Sequence, residues 1–195
     1  MNTIGYHGTS ENFRYSIEKD GLDPSKSKYR SDHWLGQGVY FFTDYDIAMW
    51  WANTTSSHNG KCGALIYKSE INSPDNEVLD LDKYSHVDKF YTEIIRNLDA
   101  IKECCKEKMP VFTYENCRAV FFDYYKIKNN ISVVMGTFQK ECAKYTTHRS
   151  REELGVQRQL MESLGVKYSE KQICVSKKDY ITLTKLVYNE QEEVI

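Results

Sequence analysis

The sequence predicts an α+β domain, with short strands at both ends of the chain and helices between them. Three observations predict it. Short apolar or alternating stretches bounded by glycine and polar clusters lie at residues 4–7, 39–42 and 64–71, and again at 131–138, 171–175 and 180–187. A strong helical periodicity occupies the middle of the chain. No linker, repeat or low-complexity run interrupts the 195 residues, a length that suits one domain (1–195) with its own core.

The elements follow in order. Residues 4–7 read as a strand that enters a turn at Gly8. Ser10 suits an N-cap, Phe13 and Ile17 stack one helical turn apart, and Gly21 suits the position just past the helix end. Residues 22–33 are polar, with Pro24 and three serines, and predict a surface loop. After the strand at 39–42, Asp44 can cap a helix running to Ala52, and the polar stretch 53–60 predicts a second loop before the strand at 64–71. Val87, Phe90, Tyr91, Ile94, Ile95, Leu98 and Ile101 repeat at i, i+3, i+4 and i+7, which predicts one core-facing helix, with Pro110 beyond its end. Residues 117–127 are apolar and aromatic and fit a helix or a strand equally. Strands at 131–138, 171–175 and 180–187 complete the chain, the last two joined by 176–179.

Composition narrows the class. Hydrophobic content of 41% with 28% charged residues is that of a soluble globular protein, and no apolar run is long enough to span a membrane. The first residues lack the basic and apolar regions of a signal peptide, so a cytoplasmic location is expected. A net charge of −2 gives no global pull toward nucleic acid. The six cysteines (62, 104, 105, 117, 142 and 174) have no zinc-ligand spacing and are expected to be reduced, mostly buried thiols. Asp80 and Asp82 read as turn residues, and no metal is expected.

The chemistry concentrates in two stretches, Gly5-Tyr6-His7-Gly8-Thr9-Ser10 and the run from Trp34 to Phe42, which contains Gly36-Gln37-Gly38-Val39-Tyr40. This is not a dinucleotide fingerprint, because no third glycine follows and the strand comes after the glycines. The residue types suit a nicotinamide dinucleotide held another way. An aromatic face supports the flat ring, backbone beside a glycine can approach a carboxamide, and a polar side chain can bond a ribose hydroxyl as positive charge develops on the sugar.

These motifs resemble those of the ADP-ribosyltransferase superfamily, in the branch with a His–Tyr signature shared by poly-ADP-ribose polymerases and diphtheria-type toxins. Tyr6-His7-Gly8-Thr9 is similar to the first strand motif. Gly38-Val39-Tyr40-Phe41-Phe42, followed by Asp44 and a helix with Ala48, Trp50 and Trp51, is similar to the second. The third, normally a glutamate on a late strand, corresponds to Glu170-Lys171-Gln172-Ile173-Cys174-Val175, where Gln172 stands in the glutamate's place. Glutamine bonds a hydroxyl but carries no charge and cannot act as a base. Side chains two apart on a strand share a face, so Glu170 and Gln172 are expected to face one cleft.

The resemblance implies an ADP-ribosyltransferase-like domain with a split mixed or antiparallel sheet and flanking helices. It also implies NAD as substrate, with His7 bonded to the adenosine ribose, Thr9 among the cofactor-binding residues, Gly8 at the carboxamide and Tyr40 stacked on nicotinamide. Trp50 or Trp51 would cover the opposite face, with Gly38 beside the ligand, Gln172 on the reacting ribose and Glu170 on the acceptor. The activity implied is mono-ADP-ribosyl transfer to RNA, DNA or protein, with a nucleic acid slightly favoured because an exocyclic amine needs little deprotonation. A toxin or anti-phage effector role, with an antitoxin or immunity protein as partner, follows by analogy. The alternatives are an NAD-dependent RNA 2′-phosphotransferase, a silent NAD- or ADP-ribose-binding module, and a scaffold built on the central helix. The basic cluster His148, Arg149 and Arg151, with Lys167, Lys171, Lys177 and Lys178, reads first as a solvated face, as do most of the 15 tyrosines as core or sheet residues.

Overall fold

Backbone pairing joins the strands into one sheet. The computed structural model describes residues 1–31, 33–60, 62–108, 112–140, 151–164 and 168–190. Among them are seven strands, β1 (Asn2–Ser10), β2 (Val39–Phe42), β3 (Ala64–Asn72), β4 (Val78–Asp80), β5 (Val133–Lys140), β6 (Tyr168–Val175) and β7 (Ile181–Asn189). Six helices accompany them, α1 (Arg14–Asp20), α2 (Tyr45–His58), α3 (Tyr84–Arg96), α4 (Leu98–Lys108), α5 (Arg118–Asn129) and α6 (Arg151–Leu164). The α+β class is as the sequence predicts.

The sheet runs β4-β5-β6-β2-β1-β3-β7 and is antiparallel except for the β4–β5 pair. Its two halves are zipped very differently from the seam between them. β1 pairs with β3 from Asn2↔Asn72 to Ser10↔Ala64, and β5 with β6 from Val133↔Val175 to Lys140↔Tyr168. Between β1 and β2 the register consists of Tyr6↔Phe42 alone. The sheet is therefore mixed and divided near its middle, and chemistry can be placed in the division.

One face carries Val39, Phe41, Ile173 and Val175, packed with Leu65, Tyr67 and Ile71. Burial of a side chain such as Phe41, wholly inaccessible, contributes about 1.5–3 kcal/mol. The other face is covered in two places. α2 lays Ala48 and Ala52 against Phe42, Ala64 and Ile66, and α3, α4 and α5 pack Phe90, Ile94, Ile101, Phe121 and Phe122 against Val134 and Cys174.

Several local expectations change. The helix capped by Asp44, which accepts from the Asp46 and Ile47 amides, does not stop at Ala52 but continues to His58. Its polar end turns inward on itself, Thr54 Oγ1 donating to the Trp50 carbonyl and Ser57 Oγ to that of Asn53. The single helix predicted over 87–101 is two, broken at Asn97, whose side-chain amide donates to the Glu93 carbonyl. Residues 118–129 are helical, which resolves the ambiguous stretch. Strand β4 was hidden by its three-residue length. Ser10 ends β1 and precedes a 3-10 turn without a side-chain cap. Cys142, His148, Arg149, Pro110 and Lys167 lie outside the described residues. Lys171, Lys177 and Lys178 are each within 4 Å of a carboxylate, those of Asp82, Glu77 and Asp23. Cys105, Cys117 and Cys174 are buried, Cys62 is half-buried and Cys104 exposed. No helix among the described residues is long and apolar enough to cross a membrane.

Candidate active site

Where the β1–β2 ladder ends, a side chain takes over from the backbone. His7 Nδ1 lies 2.8 Å from the Tyr40 carbonyl oxygen. A carbonyl only accepts, so Nδ1 carries the proton and Nε2 is left as an acceptor in the neutral ring. Burial lowers the His7 pKa from its ordinary value, against the opposing pull of that carbonyl, so the ring is neutral at pH 7.

Tyr40 is fixed from its other end. Its hydroxyl accepts from the Leu35 amide at 2.8 Å and donates to the Gly36 carbonyl at 2.7 Å. Burial, and secondarily the neighbouring Cys174, raises its pKa far above the ordinary phenol value, so it remains a neutral phenol. The Cys174 thiol, also buried, is pushed up to about 11 and is no nucleophile. The turn that holds Tyr40 is itself held by α5. Asp123 Oδ1 accepts from the Gln37 amide at 2.8 Å, and the buried Lys126 ammonium donates to the Gln37 carbonyl at 2.8 Å and to Asp123 at 3.1 Å. Gly36, at φ +83°, has no room for a side chain: a Cβ there would lie 2.4 Å from Asp123 Oδ1.

Two adjoining cavities open at the seam. The smaller, about 230 Å³, is walled by His7, Gly8, Tyr40, Phe42, Trp51 and Gln172, with Arg30, His33 and Trp34 from the connecting loop. The larger, about 480 Å³, shares His7, Arg30, His33 and Tyr40 with it and adds Thr9, Gly38, Lys26 and Lys28. Together they fall within the range of roughly 300–1,000 Å³ common for small-ligand sites. The smaller has a largely aromatic wall, with Arg30 as its one cationic side chain. The larger bears Lys26, Lys28 and Arg30 with one carboxylate, Asp23, on its wall, and Lys26 is paired with Asp20; the remaining basic side chains suit an anionic ligand.

The sequence-selected residues are distributed unevenly between them. His7, Gly8, Tyr40, Trp51 and Gln172 meet in the smaller cavity, and Thr9 and Gly38 border the larger. Of the two tryptophans, Trp51 forms the wall and stacks on Phe42 at 6.0 Å, while Trp50 stands edge-on behind it. Glu170 borders neither cavity; it lies behind Gln172, buried. Gly8 has a reason that the sequence does not reveal. A Cβ there would sit 2.1 Å from the Ala48 carbonyl oxygen and 2.9 Å from the Ala52 nitrogen, so the close approach of α2 demands the glycine. Arg30 and His33 were missed because residues 22–33 read as a surface loop, whose basic residues, spaced at 26, 28 and 30, were the available signal; Trp34 heads the second motif stretch but has no role assigned to it there.

A scan against protein-family models finds no match to this chain, and a search of curated proteins finds none either.

Proposed function

We propose that this protein is an NAD-dependent mono-ADP-ribosyltransferase. The observation that carries the reading is the convergence of His7, Gly8, Tyr40, Trp51 and Gln172, drawn from opposite ends of the chain, on one cavity at the seam of a divided sheet. All five are among the residues that the motif resemblance selects; Thr9 and Gly38 border the adjoining cavity, and Trp50 and Glu170 border neither. Nicotinamide fits the smaller cavity, between the aromatic walls of Tyr40 and Trp51 and the main chain of Gly8. The adenosine diphosphate portion fits the larger, where Lys28 and Arg30 can meet the pyrophosphate. His7 Nε2 accepts a hydrogen bond from an adenosine ribose hydroxyl, an assignment that requires the tautomer its Nδ1 contact selects.

In the reaction the bond between ribose C1′ and the nicotinamide nitrogen breaks. Nicotinamide leaves with the bonding pair, which neutralises its ring nitrogen. The acceptor's lone pair forms the new bond to C1′, and the acceptor's proton passes to solvent or a base. Gln172 contacts the reacting ribose. The acceptor is a macromolecule, with an exocyclic amine of a nucleic acid favoured, and a toxin or defence effector with a cognate antitoxin is the role this chemistry suits. One observation favours a second reading: Arg30 borders both cavities, and an arginine aimed at phosphate is what an NAD-dependent RNA 2′-phosphotransferase needs.

The test is incubation with NAD labelled in its adenylate half, together with RNA, DNA or protein. Release of nicotinamide with label carried into one macromolecule is expected. Transfer of an RNA 2′-phosphate to ADP-ribose would select the second reading, and binding without nicotinamide release would leave a binding module. Tyr40→Ala is expected to weaken NAD binding by about 10–100-fold, the value of one stacked ring; unchanged binding would place NAD elsewhere.

A further inference from the structure

Glu170, Gln172 and Cys174 alternate along β6 and share one face of it. Glu170 and Gln172 are almost inaccessible, at 1% and 3% exposure, and they are bonded to each other, the Gln172 Nε2 amide donating to Glu170 Oε1. Only Gln172 reaches the smaller cavity. Phe138 stands opposite Glu170 across the β5–β6 ladder and packs edge-on against Trp34 at 4.9 Å, so aromatic side chains shield this corner from water.

A carboxylate accepts hydrogen bonds and does not donate them. The atom of the Gln172 amide turned toward Glu170 is therefore the nitrogen, and the planar amide directs its carbonyl oxygen away from Glu170. We propose that Glu170 is a positioning residue that acts through Gln172, holding the amide with its oxygen toward the reacting ribose. The pair then does what a single carboxylate would do at position 172. This inference rests on the transferase reading above.

Physical reasons favour a divided arrangement over a lone glutamine. A neutral amide oxygen is a weaker acceptor than a carboxylate. A bond from its nitrogen to a charged acceptor polarises the amide, and in a shielded interior such chains strengthen one another. The Glu170 carboxylate stands one side chain behind the cavity, where a carboxylate favours the cationic ribose of the transition state more than the bound substrate. A residue that worked in this way would affect turnover more than substrate affinity.

The experiment compares wild type with Glu170→Gln and with the exchanged pair Glu170→Gln/Gln172→Glu, reading kcat and KM for nicotinamide release and the thermal midpoint of each protein. Glu170→Gln is expected to lower kcat by about 100-fold, the usual scale for one transition-state contact, with KM for NAD changed less than about threefold. The exchanged pair keeps one amide–carboxylate bond and is expected to recover to within about tenfold of wild type. If Glu170→Gln folds and turns over like wild type, the proposal is overturned. It is equally overturned if the exchanged pair is no better than Glu170→Gln, because Glu170 is then merely structural. Should Glu170→Gln fail to fold, the exchanged pair decides alone: turnover within the stated range supports the proposal, and its loss in a folded protein refutes it. Wild type that binds NAD and never releases nicotinamide overturns the transferase reading and this one together, whereas turnover insensitive to Glu170 overturns only this one.

Discussion

His7 couples the candidate site to pH. Its pKa is lowered in the folded protein, chiefly by burial, so below the ordinary histidine value of about 6.5 the unfolded chain binds a proton that the folded one resists. The stabilising contribution of the neutral ring is thus complete above that value and is lost as pH falls toward the folded-state pKa. The slope approaches about 1.4 kcal/mol per pH unit for one proton. Urea unfolding of wild type and His7→Gln at pH 7.5 and pH 5.0 checks this. Wild type should lose more stability between the two values than the variant does, and equal losses would show that His7 has no part in the response. The same protonation removes the Nε2 acceptor, so NAD binding should weaken across the same interval.

At the level of elements, helix α2 sets the tolerance of the first motif. Its backbone lies so close to β1 that a methyl group at Gly8 meets the Ala48 carbonyl oxygen at 2.1 Å, and main-chain atoms cannot swing aside as a side chain does. Gly8→Ala should therefore destabilise the protein by about 1–3 kcal/mol, the usual cost of overpacking. A fall in the thermal midpoint with NAD absent measures it; an unchanged midpoint would mean that α2 can move, and that the glycine is kept for the ligand alone. This glycine also marks the limit of what the sequence discloses. The meeting of His7, Tyr40 and Gln172 was implied only by the motif resemblance, whereas the Asp44 cap and the strand at 64–71 were legible, because caps and alternation are local signals. The crowding at Gly8 was not, since α2 is about 40 residues away in the chain. Nor was the Asp123–Lys126 hold on the Gly36–Gly38 turn, which joins residues 86 and 89 apart. The break at Asn97 was hidden for a different reason, because the apolar period from Ile94 to Leu98 and Ile101 runs unbroken across it. Strand alternation predicts that Glu170 faces the cleft, but alternation fixes its face and not how far along that face a cavity extends.

At the scale of the whole molecule, the division of the sheet governs how ligand and fold interact. β1, β3 and β7 form one ladder and β4, β5, β6 and β2 another, with Tyr6↔Phe42 and the contact from His7 to the Tyr40 carbonyl across the seam. The candidate cavities take walls from both sides of it: His7, Gly8 and Thr9 from one, Tyr40, Phe42 and Gln172 from the other. A dinucleotide bound there should link the halves where backbone pairing is sparse. Any ligand that binds only the folded state adds about 2.7 kcal/mol at a concentration 100 times its Kd, which for a domain of this size raises the midpoint by roughly 5–10 °C. A non-hydrolysable NAD analogue should produce such a shift, and neither nicotinamide nor adenosine alone should match it at equal concentration, because each fills one cavity. Amide hydrogen exchange gives the location. Added protection is expected along His7 to Ser10 and Val39 to Phe42, the segments facing the seam, with little change in β7, which is secured along its length by β3. Stabilisation by the analogue with protection confined to α3–α5, away from the seam, would place the ligand under those helices and remove the basis for assigning His7 and Tyr40 to it.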